Sequence, residues 1–178
     1  GSKNPIPEVV TTIENVEKIK ASNDTTAIIV LVIDDFGYRN DTVSDEFLNL
    51  DIPLTCAIIP GHPFSKKFAE KAISADKEVI VHMPMESANY TPGEEGFKLL
   101  SNMTSELIES KLIDAIESIP EAIGMNNHQG SKATADGKIM TVVASVLKQR
   151  NKYFIDSRTS LNTVGEKTMI SMGVPTAR

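Results

Sequence analysis

Four short polar clusters carry the residue types that can do chemistry in this chain. They are Asp34-Asp35, His82 with Glu86, Asn126-Asn127-His128, and Asp156-Ser157-Arg158. Each follows a short apolar run of strand character. In a parallel α/β fold all strand C-termini open on one face, and that face carries the active site. Clusters far apart in sequence would therefore meet in space. Two carboxylates and two imidazoles converging without thiols suit a borderline divalent ion. Catalytic zinc sites take three protein N or O ligands and keep a position for water. Such an ion acidifies its water and polarises a carbonyl, and a carboxylate left free can serve as general base.

Taken singly, each cluster also has a purely structural reading. Adjacent aspartates at a strand end serve as loop residues or helix caps. His82 could be a satisfied half-buried histidine, and His128 a member of a polar turn. Asp156 and Arg158 could form an ion pair that holds a loop. His62, between Gly61 and Pro63, reads as a loop residue. Cys56 lies in the run LTCAII and reads as a packed thiol; being alone, it allows neither an intrachain disulfide nor a thiolate cage. Only the joint placement of the other clusters raises them above these readings.

The elements that must position them alternate. Residues 27–33 are seven apolar residues rich in β-branching, which predicts a strand buried on both faces. Helices are expected at 41–50, 63–75, 105–118 and 139–150. Strands are expected at 54–59, 78–81, 122–125 and 153–155, with a sixth at 169–172. The helix at 105–118 is the clearest, with Thr104 as its cap and Glu106 in its first turn. Such alternation implies βαβ units and a mostly parallel sheet, and leaves open whether the sheet is doubly wound or closed. Asp34-Asp35-Phe36-Gly37 stands where a glycine-rich phosphate loop would, which argues against a nucleotide site. Residues 1–26 read as a partly helical or disordered extension, and 27–178 as one domain.

Composition bounds the partners. The 178 residues are 40% apolar and 24% charged, with a net charge of -6, three histidines and no Trp. That balance excludes nucleic acid or an anionic membrane as main partner, since both need clustered Lys and Arg. No run reaches the ~20 apolar residues that span a bilayer. Gly1-Ser2 is expected to be an expression remnant, with any secretion signal already missing.

The motifs resemble the divergent polysaccharide deacetylase family, a relative of the carbohydrate esterase family 4 deacetylases. The segments that carry the likeness are residues 32–37 (VIDDFG), 82–86 (HMPME), 124–131 (GMNNHQGS) and 154–159 (FIDSRT). The resemblance implies a distorted (β/α) barrel of about seven parallel strands. It makes Asp34 the base and Asp35 a metal ligand, and it matches His82 to the first of two histidines spaced four apart in the esterases. Glu86 stands at the second position, so His128 is the candidate third ligand. Asp156 and Arg158 fall in the region of a motif that orients the base. The esterases use a later histidine as general acid, and no histidine follows His128 here; family members continue past Val174–Arg178 with another strand.

The implied function is removal of N- or O-acetyl groups from an envelope or extracellular glycan, with one divalent ion, zinc, as cofactor, and an extracytoplasmic location. Two other functions remain open. One is a non-catalytic envelope protein that binds glycan or a partner through the same groove. The other is a peptide or small-amide hydrolase on the same scaffold.

Overall fold

Strands and helices alternate along the whole of the described region, residues 29–178 of a computed structural model. The expected helical stripe in residues 1–26 lies outside it. Six strands form one sheet: β1 (Val32–Phe36), β2 (Thr55–Ile58), β3 (Glu78–Met85), β4 (Gly124–Gln129), β5 (Tyr153–Ile155) and β6 (Thr176–Ala177). Between them run α1 (Thr42–Leu48), α2 (Ser65–Ser74), α3 (Ser105–Ser118), α4 (Gly137–Gln149) and α5 (Gly165–Met172). All pairings are parallel, and the spatial order is β1-β2-β3-β4-β5-β6. Each crossover steps the same way. Right-handed connections of that kind place every helix on one face, as in a (β/α) barrel and unlike a doubly wound sheet.

The two faces differ in chemistry, following the two-residue period of a strand. Cys56, Ile58, Val81, Met83, Met125 and Phe154 point to the helices and are buried in the main apolar core. There they meet Phe68 of α2, Ile108 and Leu112 of α3, and Val143 and Leu147 of α4. The intervening residues Thr55, Ala57, Glu78, His82, Asn126 and His128 line the other face. Its lower end is closed by Glu78, which accepts hydrogen bonds from Thr55 Oγ1 (3.0 Å) and the Tyr153 hydroxyl.

Helix starts follow side-chain capping. Asp41 accepts from Ser44 N, Thr104 from Leu107 N, and Asp136 from Lys138 N and Ile139 N. Each satisfies backbone donors that the first turn leaves unpaired. α3 has the limits that its periodicity predicts, Thr104 cap included.

Two expectations need correction. The first strand is Val32–Phe36 rather than residues 27–33, and it is an edge of the sheet; Asp34 and Asp35 are exposed members of it. Within the described part of that run, Val32 and Ile33 carry the ladder pairs. The sixth strand is not at 169–172. That stretch is the end of α5, which Gly173 terminates in the left-handed conformation (φ 71°), and the strand follows at Thr176–Ala177. A four-residue stretch with three apolar residues fits either period, and the glycine stop decides it.

One irregularity shapes the site. Ile33 pairs with Cys56 and Phe36 with Ile58, so two residues of β1 stand opposite Ala57 alone. This is a β-bulge, and the extra residue, Asp35, has φ 67°. Phe36 anchors the far side of the bulge by stacking on Phe68 at 4.2 Å between ring centres. Gly37 follows with φ 113°, and a Cβ there would lie 2.7 Å from Ser65 Oγ, so only glycine fits the turn.

Ala57 has the smallest side chain that could sit beneath the bulge. Ala57→Leu is expected to destabilise the fold by about 1–3 kcal/mol through overpacking and to push both aspartates from the histidines. Urea unfolding alongside metal titration checks this; an unchanged midpoint with unchanged metal affinity would refute it. Cys56→Ala, on the opposite face, should cost stability alone.

Candidate metal centre

The bulge turns both aspartates toward the face that carries His82 and His128. Regular pairing puts His82 beside Asn126 and Pro84 beside His128 on neighbouring strands. From β1 the aspartates reach across β2 over the small Ala57. Asp35 Oδ1 then lies 3.3 Å from His82 Nε2 and 3.1 Å from His128 Nδ1, and the two ring nitrogens are 3.2 Å apart. Tetrahedral zinc with bonds of about 2.0–2.1 Å spaces its ligand atoms roughly 3.3–3.4 Å apart. The triangle has that size. These three residues are also the one group of metal-ligating side chains found close enough together among the described residues.

Asn126 sets the ring chemistry of His82. Its Nδ2 donates to Asp34 Oδ1 (2.8 Å), because an ionised carboxylate can only accept. Its Oδ1 therefore faces His82 Nδ1 (2.7 Å) and must receive a proton from it. With the ring proton fixed on Nδ1, Nε2 can present its lone pair to the triangle. A histidine held this way by a neighbour on its far nitrogen is the usual metal-ligand arrangement. The same amide holds Asp34 beside the triangle, 3.8 Å from His82 Nδ1.

Burial, and then the charge of His82, lower the pKa of His128 below 6.5 against the pull of Asp35 and Glu94. The shift favours the neutral ring, the form that ligates. Contact with His82 holds the Asp35 carboxyl below its usual range, although burial raises it. The ion pairs of Asp34, Asp35 and Glu94 all run to histidines, with no Lys or Arg among their partners in the described residues. An anionic cluster of this kind is matched to a cation.

Asp156 and Arg158 belong to the loop after β5. Asp156 is buried, accepts from Arg158 N (2.9 Å), Thr163 Oγ1 (2.8 Å) and Glu166 N (3.3 Å), and so ties the loop after β5 to the start of α5. Gly165 allows this approach, since a Cβ there would lie 2.7 Å from Asp156 Oδ2. Arg158 is exposed, with φ 48°, and its guanidinium makes no ion pair among the described residues. Asp34 is held by Asn126 in place of either. Glu86, at the position of the esterases' second histidine, pins loops: it accepts from Ser101 N (2.7 Å) and pairs with Lys132 Nζ (2.7 Å). Cys56 is buried, and burial pushes its thiol up to about 12.

Three further residues reach the rim. Glu94, on the loop between β3 and α3, has a side chain only 7% exposed and lies 4.0 Å from His128 Nε2. It receives the Tyr38 hydroxyl and lies 3.7 Å from His62 Nε2, while His62 packs on the Tyr38 ring at 3.9 Å. His62 is thus a loop residue that borders the site. Glu94 carried no sequence signal, standing in a polar Gly-rich stretch 56 residues from Tyr38.

A family model for divergent polysaccharide deacetylases matches residues 31–178. The chain belongs to the divergent polysaccharide deacetylase family. It is 35% identical over 146 residues to the uncharacterized protein YibQ of Escherichia coli, covering 82% of this chain and 45% of YibQ. An uncharacterized Haemophilus influenzae protein is 32% identical over 148 residues, covering 82% of this chain and 51% of its own length. The chain thus spans about half the length of the curated relatives it matches. A crystal structure of the uncharacterized protein ATU2773 from Agrobacterium tumefaciens superposes with a TM-score of 0.74 at 18% identity, over 83% of this chain and 61% of that one. At that identity the likeness shows the fold. In this family member the fold places the four clusters of the sequence on one end of the sheet, with Asp35, His82 and His128 in mutual contact.

Asp156→Ala should destabilise the domain by roughly 2–4 kcal/mol, since it removes a buried charged acceptor and orphans its donors. Thermal and urea unfolding read this directly. The metal affinity of the folded variant should stay within a few-fold of the parent, and a selective loss of metal with unchanged stability would assign Asp156 to the site instead.

Proposed function

We propose that the chain is a metal-dependent hydrolase that removes acetyl groups from an envelope or extracellular glycan, and that it works outside the cytoplasm. The observation that carries the reading is the triangle of Asp35, His82 and His128 with Asp34 beside it. Asp35, His82 and His128 would hold one divalent ion, and a set of two imidazoles and one carboxylate favours zinc. An ion bound there supplies Lewis acidity to a carbonyl and makes a water acidic enough to attack near neutral pH.

The rest of the work falls to side chains. Asp34, outside the triangle, takes the proton of the attacking water, and Asn126 keeps its carboxylate aimed. His82 and His128 serve as neutral ligands, so protons compete with the ion and affinity falls as pH falls. A cleft of about 420 Å³ beside the site is lined by Ser87, Asn89, Tyr90, Thr91, Lys98 and Lys132. It offers hydrogen-bonding groups to a hydroxyl-rich ligand, and Ser87 links it to the centre by donating to Gln129 beside His128.

Metal analysis of the purified protein together with acetate release from a panel of acetylated sugars and glycans tests the reading. One metal per chain is expected, with strong loss in His82→Ala, His128→Ala and Asp35→Asn. Asp34→Asn should keep its metal and lose turnover by about 10²–10⁴-fold. Full occupancy in both histidine variants would overturn the site. Glycan binding with metal retained but no acetate released would support the non-catalytic role.

A further inference from the structure

Glu94 has an unusual setting for a carboxylate. Its side chain is 93% covered, and its partners are a phenol and two imidazoles, with no Lys or Arg among them. A buried carboxyl group needs hydrogen-bond partners, and the phenol and the imidazoles are the groups within reach. His62 Nε2 lies 3.7 Å from Glu94 Oε1, and His128 Nε2 lies 4.0 Å from Glu94 Oε2.

His128 faces the Asp35–His82 triangle with Nδ1. To ligate through Nδ1 it must carry its ring proton on Nε2, and that N–H then needs an acceptor. Gln129 Nε2 stands 3.2 Å from His128 Nε2 while Ser87 Oγ donates to Gln129 Oε1. In that arrangement Gln129 offers a donor, which supports the opposite tautomer. Glu94 is the carboxylate on that side of the ring.

We propose that Glu94 is the positioning residue of the metal centre: it accepts the Nε2–H of His128, fixes the ligating tautomer, and is itself held by Tyr38 and His62. This rests on the reading that Asp35, His82 and His128 bind a metal. It makes the loop between β3 and α3 part of the site, because the loop delivers the carboxylate that metal loading draws toward His128.

The test is zinc affinity by competition with a chromophoric chelator, on the chain as it stands, with nitrogen-15 NMR of the histidine rings. Wild type should bind zinc with His128 protonated on Nε2. Glu94→Gln should bind 10–100-fold more weakly and lose that single-tautomer signature, with apoprotein melting within a few degrees of wild type. Tyr38→Phe should show a smaller loss in the same direction. Affinity within twofold of wild type in Glu94→Gln, with the Nε2–H tautomer intact, overturns the inference and leaves the metal site standing. If Glu94→Gln melts much lower, the tautomer in Tyr38→Phe decides: mixed tautomers support the role and an unchanged one overturns it. Failure of wild-type protein to bind zinc any better than His82→Ala overturns the metal reading and this inference together.

Discussion

Neighbouring residues of a regular β-strand point to opposite faces, so Asp34 and Asp35 could not both serve one centre from an unbroken β1. The extra residue opposite Ala57 removes that constraint. It is secured on both sides: Ile33 keeps its register with Cys56, and Phe36 is buried against Phe68. A left-handed Asp35 is tolerable because Asp enters that region more readily than most residues. Everything else at the centre follows from this displacement. With one carboxylate directed at the imidazoles and the next at Asn126, two residues adjacent in sequence acquire different partners and hence different chemical roles.

The amide of Asn126 carries that division of roles into the ring of His82. A carboxylate dictates which end of the amide it meets, the amide dictates which ring nitrogen bears the proton, and the remaining nitrogen faces Asp35. Asn127, next along β4, points the other way and serves the frame. It donates to Gln129 O (2.7 Å) and accepts from Ser157 N (2.9 Å), and Thr159 Oγ1 also donates to Gln129 O (2.7 Å). These bonds hold Gln129 at φ 58°. The left-handed residue next to His128 is thus fixed by several polar contacts, in keeping with the way such conformations persist only where their surroundings over-determine them.

The sequence made the centre legible and its fine geometry illegible, for physical reasons that differ by residue. Strand ends could be read because apolar runs stop at polar clusters, and a parallel sheet sends those clusters to one end; His82, His128 and the Asp34-Asp35 pair were found that way. The bulge could not be read, since Ala57 is ordinary in a strand and pairing register is a tertiary property. The apolar run at 27–33 predicts a strand that ends before the aspartates, whereas β1 runs from Val32 through both of them to Phe36. The role expected of Asp156 and Arg158 rested on resemblance. Local hydrogen bonding, from Asp156 to the N-terminal turn of α5, explains that carboxylate instead. Glu94 lay beyond reach because a glutamate between glycines in a polar loop has no pattern until the loop folds over Tyr38.

Charge balance narrows the chemistry that this family member's centre can accommodate. Asp34, Asp35 and Glu94 bring three carboxyl groups to the imidazoles of His82 and His128. On the proposed reading, a single divalent ion would sit among more acidic groups than it can neutralise. A phosphate ester or carboxylate presented there would be repelled at close range, with no Arg or Lys at the triangle to receive it. Coulomb energies in a partly buried site amount to about 4 kcal/mol per close pair, enough to decide between substrate classes. A neutral acyl group meets no such penalty, and its carbonyl oxygen gains charge only as the reaction proceeds, next to the position the cation would fill. On the proposed reading, a cation held there would meet the charge that develops during acyl hydrolysis, an interaction stronger in the transition state than in the ground state.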